Sequence, residues 1–326
     1  MSDTTPGPHV LISENLAGMR PDLVARYPRC RFTAVPDAGP LLPDYFDAEV
    51  MLRSSMGEEM FDGILANAPK LRWVQITAAG FDWVGGELFQ RRLAEGLLYT
   101  RSPHSYNVPI AEYVIASALL HARAFPALRE AQDRHEWVRL VARDFIGSTM
   151  LVFGTGSIGG EVAWRARALG ARAIGVNRGG GAVEGFDRVV PAGEARTVLP
   201  EADWVVLAMP LTPENRYFFD AEHFAAMKET AVLINVGRGA LVVEDALVDA
   251  VTTGTISGAV LDVFEEEPLP AASRLWGLPR TMVTPHTSFR AAGNINRLYE
   301  DFCANFDRFL AGGQPVGAMR QPDLGY

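Results

Sequence analysis

Cysteine is scarce in this chain of 326 residues: Cys30 and Cys303 stand singly, with no CxxC spacing. Neither a disulfide framework nor a zinc site is indicated, and a reducing compartment is expected. Basic residues are in the minority, 30 Lys and Arg against 39 Asp and Glu, for a net charge of −9. That balance argues against an electrostatic nucleic-acid binder, which needs a basic face. No apolar run approaches the about 20 residues of a membrane span. The polar start MSDTTPGPH also lacks the apolar stretch of a secretory signal. A cytoplasmic protein, bound to neither membrane nor nucleic acid, is expected. Nothing repeats internally, and low complexity is confined to the three glycines 179–181.

What remains is ordinary globular material, 48% hydrophobic and 21% charged, long enough for two domains. Short apolar runs alternate with longer mixed segments, the texture of βαβ units and parallel sheets. In the first third, His9–Ser13, Arg31–Val35, 48–52, Trp73–Ile76 and 97–100 read as strands, with helices over 15–27 and 57–68. A long helix is expected from Pro109, placed in its first turn, to about Leu128. A second series of strands runs through Thr149–Phe153, 173–176, 204–208, 231–235, 256–261 and 281–284. Its Val, Ile and Leu show little polar alternation, as strands buried on both faces should. A helical tail over 291–310 is too short to fold alone and is expected to pack on the first unit.

Directly after the strand ending at Phe153 comes Gly154-Thr155-Gly156-Ser157-Ile158-Gly159, a GxGxxG pattern opening a helix. In that context Gly154 permits the tight turn, Gly156 lets backbone approach a pyrophosphate, and Gly159 allows close helix–strand packing. The helix N-terminus offers free N–H groups to phosphates. NAD binders usually carry an acid about 20 residues further on, for the ribose hydroxyls. Here the strand ends in Asn177-Arg178, an amide and a guanidinium that suit a 2′-phosphate. NADP is therefore preferred over NAD, with ordinary turn residues as the alternative.

Three later segments each place a polar residue just past a buried strand, where open α/β sheets bind ligands. They are Asn235-Val236-Gly237-Arg238-Gly239, Asp262-Val263-Phe264-Glu265-Glu266-Glu267-Pro268 and Thr284-Pro285-His286-Thr287-Ser288. Singly, a loop Arg, a run of Glu and a loop His are unremarkable. Together, behind a dinucleotide loop, they form a set suited to hydride chemistry on a 2-keto acid.

With these motifs in this order, joined by Asp144-Phe145-Ile146-Gly147 and Met209-Pro210-Leu211-Thr212-Pro213-Glu214, the chain resembles the D-isomer-specific 2-hydroxyacid dehydrogenase family over nearly its whole length. The resemblance implies an α/β protein of two Rossmann-like or flavodoxin-like doubly wound parallel-sheet domains. The substrate domain would be 1–103 plus 287–326, and the cofactor domain, 104–286, would be inserted into it, with hinges near 101–104 and 285–288. It implies that Arg238 binds substrate, Glu267 supports the histidine and His286 is the acid/base; Glu267 is chosen because it directly precedes the motif proline. Asp262 matches an aspartate that faces the nicotinamide carboxamide. NADP(H), or NAD(H), would be held by residues 154–159, Asn177, Arg178, Met209, Pro210, Thr212, Val236, Gly237, Arg238, Asp262, His286 and Ser288. Ala79 and Gly80, in a loop resembling the family's substrate loop, join Arg238 and His286 as substrate-binding candidates. Arg53 reads equally as a substrate-anion contact or a surface salt bridge. Tyr106 and Trp137 would shape the pocket, Trp137 from a neighbouring subunit, or would simply pack. A homodimer through the segment after Pro109 is implied as well.

The expected reaction is reversible reduction of a small 2-keto acid to a D-2-hydroxy acid. Ser288 and Met209 depart from the commonest family pattern and bear on which acyl group fits. A formate-type or phosphite-type dehydrogenase is an alternative, and Glu267, where formate relatives carry Gln, argues against the former. A dinucleotide-sensing regulator resembling the co-repressors on this fold is a second alternative. The remaining histidines, His9, His104, His121, His135 and His223, read as structural or exposed.

Overall fold

The computed structural model describes residues 6–78, 86–102 and 104–318. The chain divides into two compact units: residues up to Tyr106 together with those from Ala292 onward, and Asn107–Ala291. Both are parallel-sheet α/β units, the architecture expected.

In the first unit, β1 (His9–Ser13), β2 (Arg31–Val35), β3 (Val50–Arg53), β4 (Trp73–Ile76) and β5 (Leu98–Thr100) form a sheet in the order β2-β1-β3-β4-β5. All pairs are parallel, and β1, β3 and β4 are buried throughout. Alternate side chains feed opposite faces. Leu11, Met51 and Val74 join the core beneath α2 (Glu58–Asn67) and α3 (Glu87–Ala94). Val10, Ile12, Leu52 and Trp73 join a second core that includes Leu298, Phe302 and Phe306 of the C-terminal helix Asn294–Leu310. Phe302 stacks on Trp73 at 5.6 Å, so the tail is bound into this unit by apolar burial. The fully buried amide of Gln75 adds a polar tie, donating to Ser102 Oγ (3.0 Å) and accepting from Asn305 Nδ2 (3.2 Å). The expected helix over 15–27 is instead a 3-10 turn, Glu14–Met19, followed by α1 (Arg20–Arg26), with Pro21 in the first turn of α1.

The second unit carries α4 (His104–Ala122), α5 (Phe125–Asp133), β6 (Thr149–Phe153), α6 (Ser157–Ala168), β7 (Arg172–Asn177), β8 (Arg188–Pro191), α7 (Ala195–Val198), β9 (Trp204–Leu207), α8 (Ala221–Ala226), β10 (Val232–Asn235), α9 (Glu244–Thr253), β11 (Gly258–Leu261) and β12 (Thr281–Val283). Its sheet runs β12-β11-β10-β9-β6-β7-β8, again parallel. Chain order therefore reverses between β6 and β9, and the carboxyl ends of those strands flank the switch point where such sheets bind ligands.

Two expectations need correction. Pro109 is not in a first turn: α4 begins five residues earlier and carries the proline inside it. Nor does that helix run to Leu128. Ala124 adopts a left-handed φ of 55° and Pro126 sits in the first turn of α5, so a proline-imposed break divides the apolar pattern between two helices. Strand β8 has no counterpart in the expectations. It is a four-residue edge strand with one buried side chain, too short for a periodic signal.

Candidate active site

The glycine loop is built for close approach. Gly154 has φ 99°, and a Cβ there would lie 2.8 Å from the Ala208 carbonyl oxygen, so this turn abuts the loop after β9 that carries Met209 and Pro210. A Cβ on Gly159 would fall 1.9 Å from the Gly154 carbonyl oxygen, which packs α6 directly on its own turn. By contrast a Cβ on Gly156 meets nothing within 4 Å. Gly156 is the N-cap of α6 and supplies no side-chain acceptor, so the first-turn N–H groups of Ser157 and Ile158 face open space. Such a cradle, at the positive end of a 12-residue helix, fits a dinucleotide pyrophosphate.

At the end of β7 the amide of Asn177 is engaged in its own turn. Its Nδ2 donates to Thr155 Oγ1 (3.2 Å) and the Gly181 carbonyl (3.1 Å), and its Oδ1 accepts from the Gly180 N–H (2.7 Å). Asn177 thus shapes the loop, and the cation it presents is the exposed Arg178. Arg178 lies close enough to Glu214 to help hold that carboxyl below its usual range, after the Thr212 hydroxyl and the backbone. Thr212 in turn caps the short turn Pro213–Asn215 with Asn215, whose Nδ2 donates to the Pro210 carbonyl (2.8 Å).

The loop after β10 is pinned by Asn235, 1% exposed: Oδ1 accepts from the Gly237 N–H (3.1 Å) and Nδ2 donates to the Arg238 carbonyl (3.0 Å). A Cβ on Gly239 would fall 1.9 Å from the Phe264 carbonyl carbon, so only glycine lets this loop rest against the 264–267 segment. Arg238 is half-buried there, one guanidinium N–H donating to the Gly237 carbonyl (2.8 Å). The three glutamates separate. Glu265 accepts from Arg216 (2.6 Å) and Tyr217, and Glu266 is exposed. Glu267 is exposed as well but engaged: Oε1 accepts from the Phe264 N–H (2.9 Å), and Oε2 is 2.8 Å from His286 Nδ1. With Nδ1–H directed at the carboxylate, Nε2 is left for a ligand.

His286 sits at φ 47°, uncommon for a side chain of its size. Its N–H donates to the Asp262 carbonyl (2.8 Å). The Asp262 carboxylate is fully buried. It accepts from the Thr287 N–H (2.9 Å), the Ser288 N–H (2.9 Å) and the Thr284 hydroxyl (2.6 Å). The Asp262 carboxylate thereby anchors the His286 turn from beneath. Ser288, itself buried, is part of that anchor through its backbone. Thr284, quoted in the motif, was given no role of its own, and Tyr113 went unnoticed; the Tyr113 hydroxyl lies 2.7 Å from Thr284 Oγ1. Nothing in the sequence marks a tyrosine on a buried helix as its partner.

In the first unit, Arg53 ends β3 at 3% exposure, a buried position rather than a surface one. Its guanidinium lies 4.0 Å over the Phe61 ring and donates to the Met56 carbonyl (3.3 Å), and burial lowers its pKa. Tyr106 is half-buried near Thr77, with burial raising its pKa. Ala79 and Gly80 lie outside the described residues. Trp137 is 91% exposed in the second unit, so within one chain it does not pack as a core aromatic.

A sheet that reverses order at a glycine-lined helix N-terminus, with Arg, Glu and His on the neighbouring strand ends, defines a dinucleotide-dependent oxidoreductase. Comparison with known proteins makes this more specific. Residues 115–288 match the family model described as "D-isomer specific 2-hydroxyacid dehydrogenase, NAD binding domain". Glyoxylate/hydroxypyruvate reductase B of Pectobacterium carotovorum is 33% identical over 287 residues, covering 86% of this chain and 87% of the relative. A D-isomer specific 2-hydroxyacid dehydrogenase from Xanthobacter autotrophicus, solved with NADPH and MES, superposes with a TM-score of 0.82 at 27% identity, over 98% of this chain and 100% of that one. An NADPH-dependent glyoxylate/hydroxypyruvate reductase from Sinorhizobium meliloti, solved with NADP and sulfate, gives 0.79 at 25% identity, over 96% and 98%. The chain belongs to the D-isomer specific 2-hydroxyacid dehydrogenases. It is an oxidoreductase that uses a nicotinamide dinucleotide on small 2-hydroxy or 2-keto acids.

Proposed function

We propose that the protein reduces a small 2-keto acid, of the size of glyoxylate or hydroxypyruvate, to the D-2-hydroxy acid, with NADPH preferred to NADH. The observation that carries this reading is the Glu267–His286 pair, 2.8 Å apart, on strand ends beside the Arg238 loop. A reduced nicotinamide bound to the second unit supplies the hydride. Arg238, permanently cationic, binds the substrate carboxylate and polarises the keto oxygen. His286 gives that oxygen its proton from Nε2 and takes it back in oxidation, while Glu267 fixes the ring through Nδ1. The residues 154–159, with Val236 and Gly237, hold the cofactor. A kinetic screen of 2-keto acids with each reduced cofactor tests the reading, and no turnover across the panel overturns it.

The cofactor preference rests on Arg178 and on the lack of an acid at the end of β7. Arg178→Ala should lower kcat/KM with NADPH by about ten- to a hundredfold, the worth of a charge-assisted contact, and change it little with NADH. Equal losses with both cofactors would remove Arg178 from the 2′-phosphate site.

The chain is also read as a homodimer through the second unit. Phe125, Trp137, Val141 and Trp276 are all at least half exposed, and a groove of about 720 Å³ runs between Phe125 and Trp276. Exposed aromatic surface of this kind marks association sites. Sedimentation equilibrium should return twice the 35.5 kDa chain mass; a monomer at micromolar concentration would contradict it.

A further inference from the structure

The anchor beneath His286 extends one residue deeper than the catalytic set requires. Asp262 is fully buried and carries a carboxylate, a charge that is tolerated only when its lone pairs are met. Two backbone N–H groups and the Thr284 hydroxyl meet them. A carboxylate only accepts, so the single Thr284 proton points at Asp262 Oδ1, 2.6 Å away. Thr284 Oγ1 is then an acceptor toward the Tyr113 hydroxyl at 2.7 Å, and the phenol must be the donor. Burial raises the Tyr113 pKa to about 12, so the donor proton is present throughout the working range. The result is a directed chain, Tyr113 to Thr284 to Asp262, ending on the residue whose carbonyl and carboxylate hold 286–288. In low dielectric such chains strengthen each member.

We propose that Tyr113 is a positioning residue for His286, acting through Thr284 and Asp262. Helix α4 thereby fixes the turn that presents the acid/base, although Tyr113 itself belongs to neither the Arg238 loop nor the glycine loop. Losing its hydroxyl loosens the Thr284 rotamer and lets the 286–288 turn relax from its left-handed geometry. Displacements below an ångström at a proton donor act on the chemical step and leave ligand contacts elsewhere intact. This inference rests on His286 being the acid/base.

The test is a kinetic cycle on the intact protein with Tyr113→Phe, Thr284→Val, the double variant and His286→Ala as reference. Tyr113→Phe should lower kcat for keto-acid reduction about tenfold. Keto-acid KM and NADPH affinity, followed by quenching of protein fluorescence, should stay within about twofold. Thr284→Val should lose at least as much, and the double variant should be no slower than Thr284→Val alone, because the two act as one chain. Wild-type kcat in Tyr113→Phe, losses that multiply in the double variant, or a parallel loss of cofactor affinity would each overturn the proposal. If His286→Ala keeps full activity, the acid/base reading fails first and takes the positioning role with it. If His286→Ala is inactive while Tyr113→Phe is normal, the positioning role alone fails.

Discussion

His286→Ala is expected to lower kcat for keto-acid reduction by about 10²- to 10⁴-fold, the range supplied by a positioned proton donor. Affinity for NADPH should change little, because the glycine loop proposed to hold the cofactor shares no hydrogen bond with the 284–288 turn among those described. Keto-acid KM should rise modestly, since Arg238 still grips the carboxylate. The pH dependence follows from the proton's direction. In the proposed reaction reduction takes up a proton through His286 and oxidation returns one, so higher pH should slow reduction and favour oxidation. Both slopes should flatten in His286→Ala. Glu267→Gln keeps an acceptor opposite Nδ1 and removes the negative charge beside the ring that gives up the proton. It should therefore depress reduction more than oxidation, a split that simple loss of ring orientation would not produce. Steady-state rates in both directions across pH check all of this, and an unchanged profile in His286→Ala would remove His286 from the chemistry.

The parts of this site that were legible in the sequence are those whose chemistry is local. Gly154, Gly156 and Gly159 are three residues of one turn, and their roles follow from a backbone that must pass close to itself and to a ligand. Likewise Arg238, Glu267 and His286 each lie in the loop that follows a strand, where the parallel sheet presents its loops. What stayed hidden depends on contacts between distant segments. The three donors that 284–288 bring to the buried Asp262 carboxylate are such contacts. Tyr113 and Thr284 are 171 positions apart and meet only in the folded chain, where α4 passes the loop that follows β12. The polar atoms of Asn177 close a turn on glycines 180 and 181, which the sequence alone does not show. On the fold side, the break after Ala122 was masked because apolar spacing continues through it. Pro126 was the signal for a new helix start. Edge strand β8 offers one buried side chain and no alternation, so no pattern could have revealed it.

Arg238 carries the second large effect. Its loop is rigid from both sides: Asn235 clamps the backbone at Gly237 and Arg238, and Gly239 rests on the Phe264 carbonyl. The half-buried guanidinium is therefore offered in a narrow range of orientations, and a planar fork matches a 2-keto acid better than a point charge does. Arg238→Ala leaves a substrate carboxylate in the site without its cation, a loss of about 3–5 kcal/mol, or roughly 10²- to 10³-fold or more in kcat/KM. Arg238→Lys restores the charge without the fork and should recover part of this, remaining about ten- to a hundredfold below the parent. In the proposed reaction one guanidinium serves both the carboxylate and the oxygen that gains charge, so both KM and kcat should suffer in Arg238→Ala. Added guanidinium ion should raise its kcat/KM, while alkylammonium ions of the same charge should do less. A rise in KM with kcat intact would mean that Arg238 only captures the acid, and the polarising role would then have to pass to His286 alone.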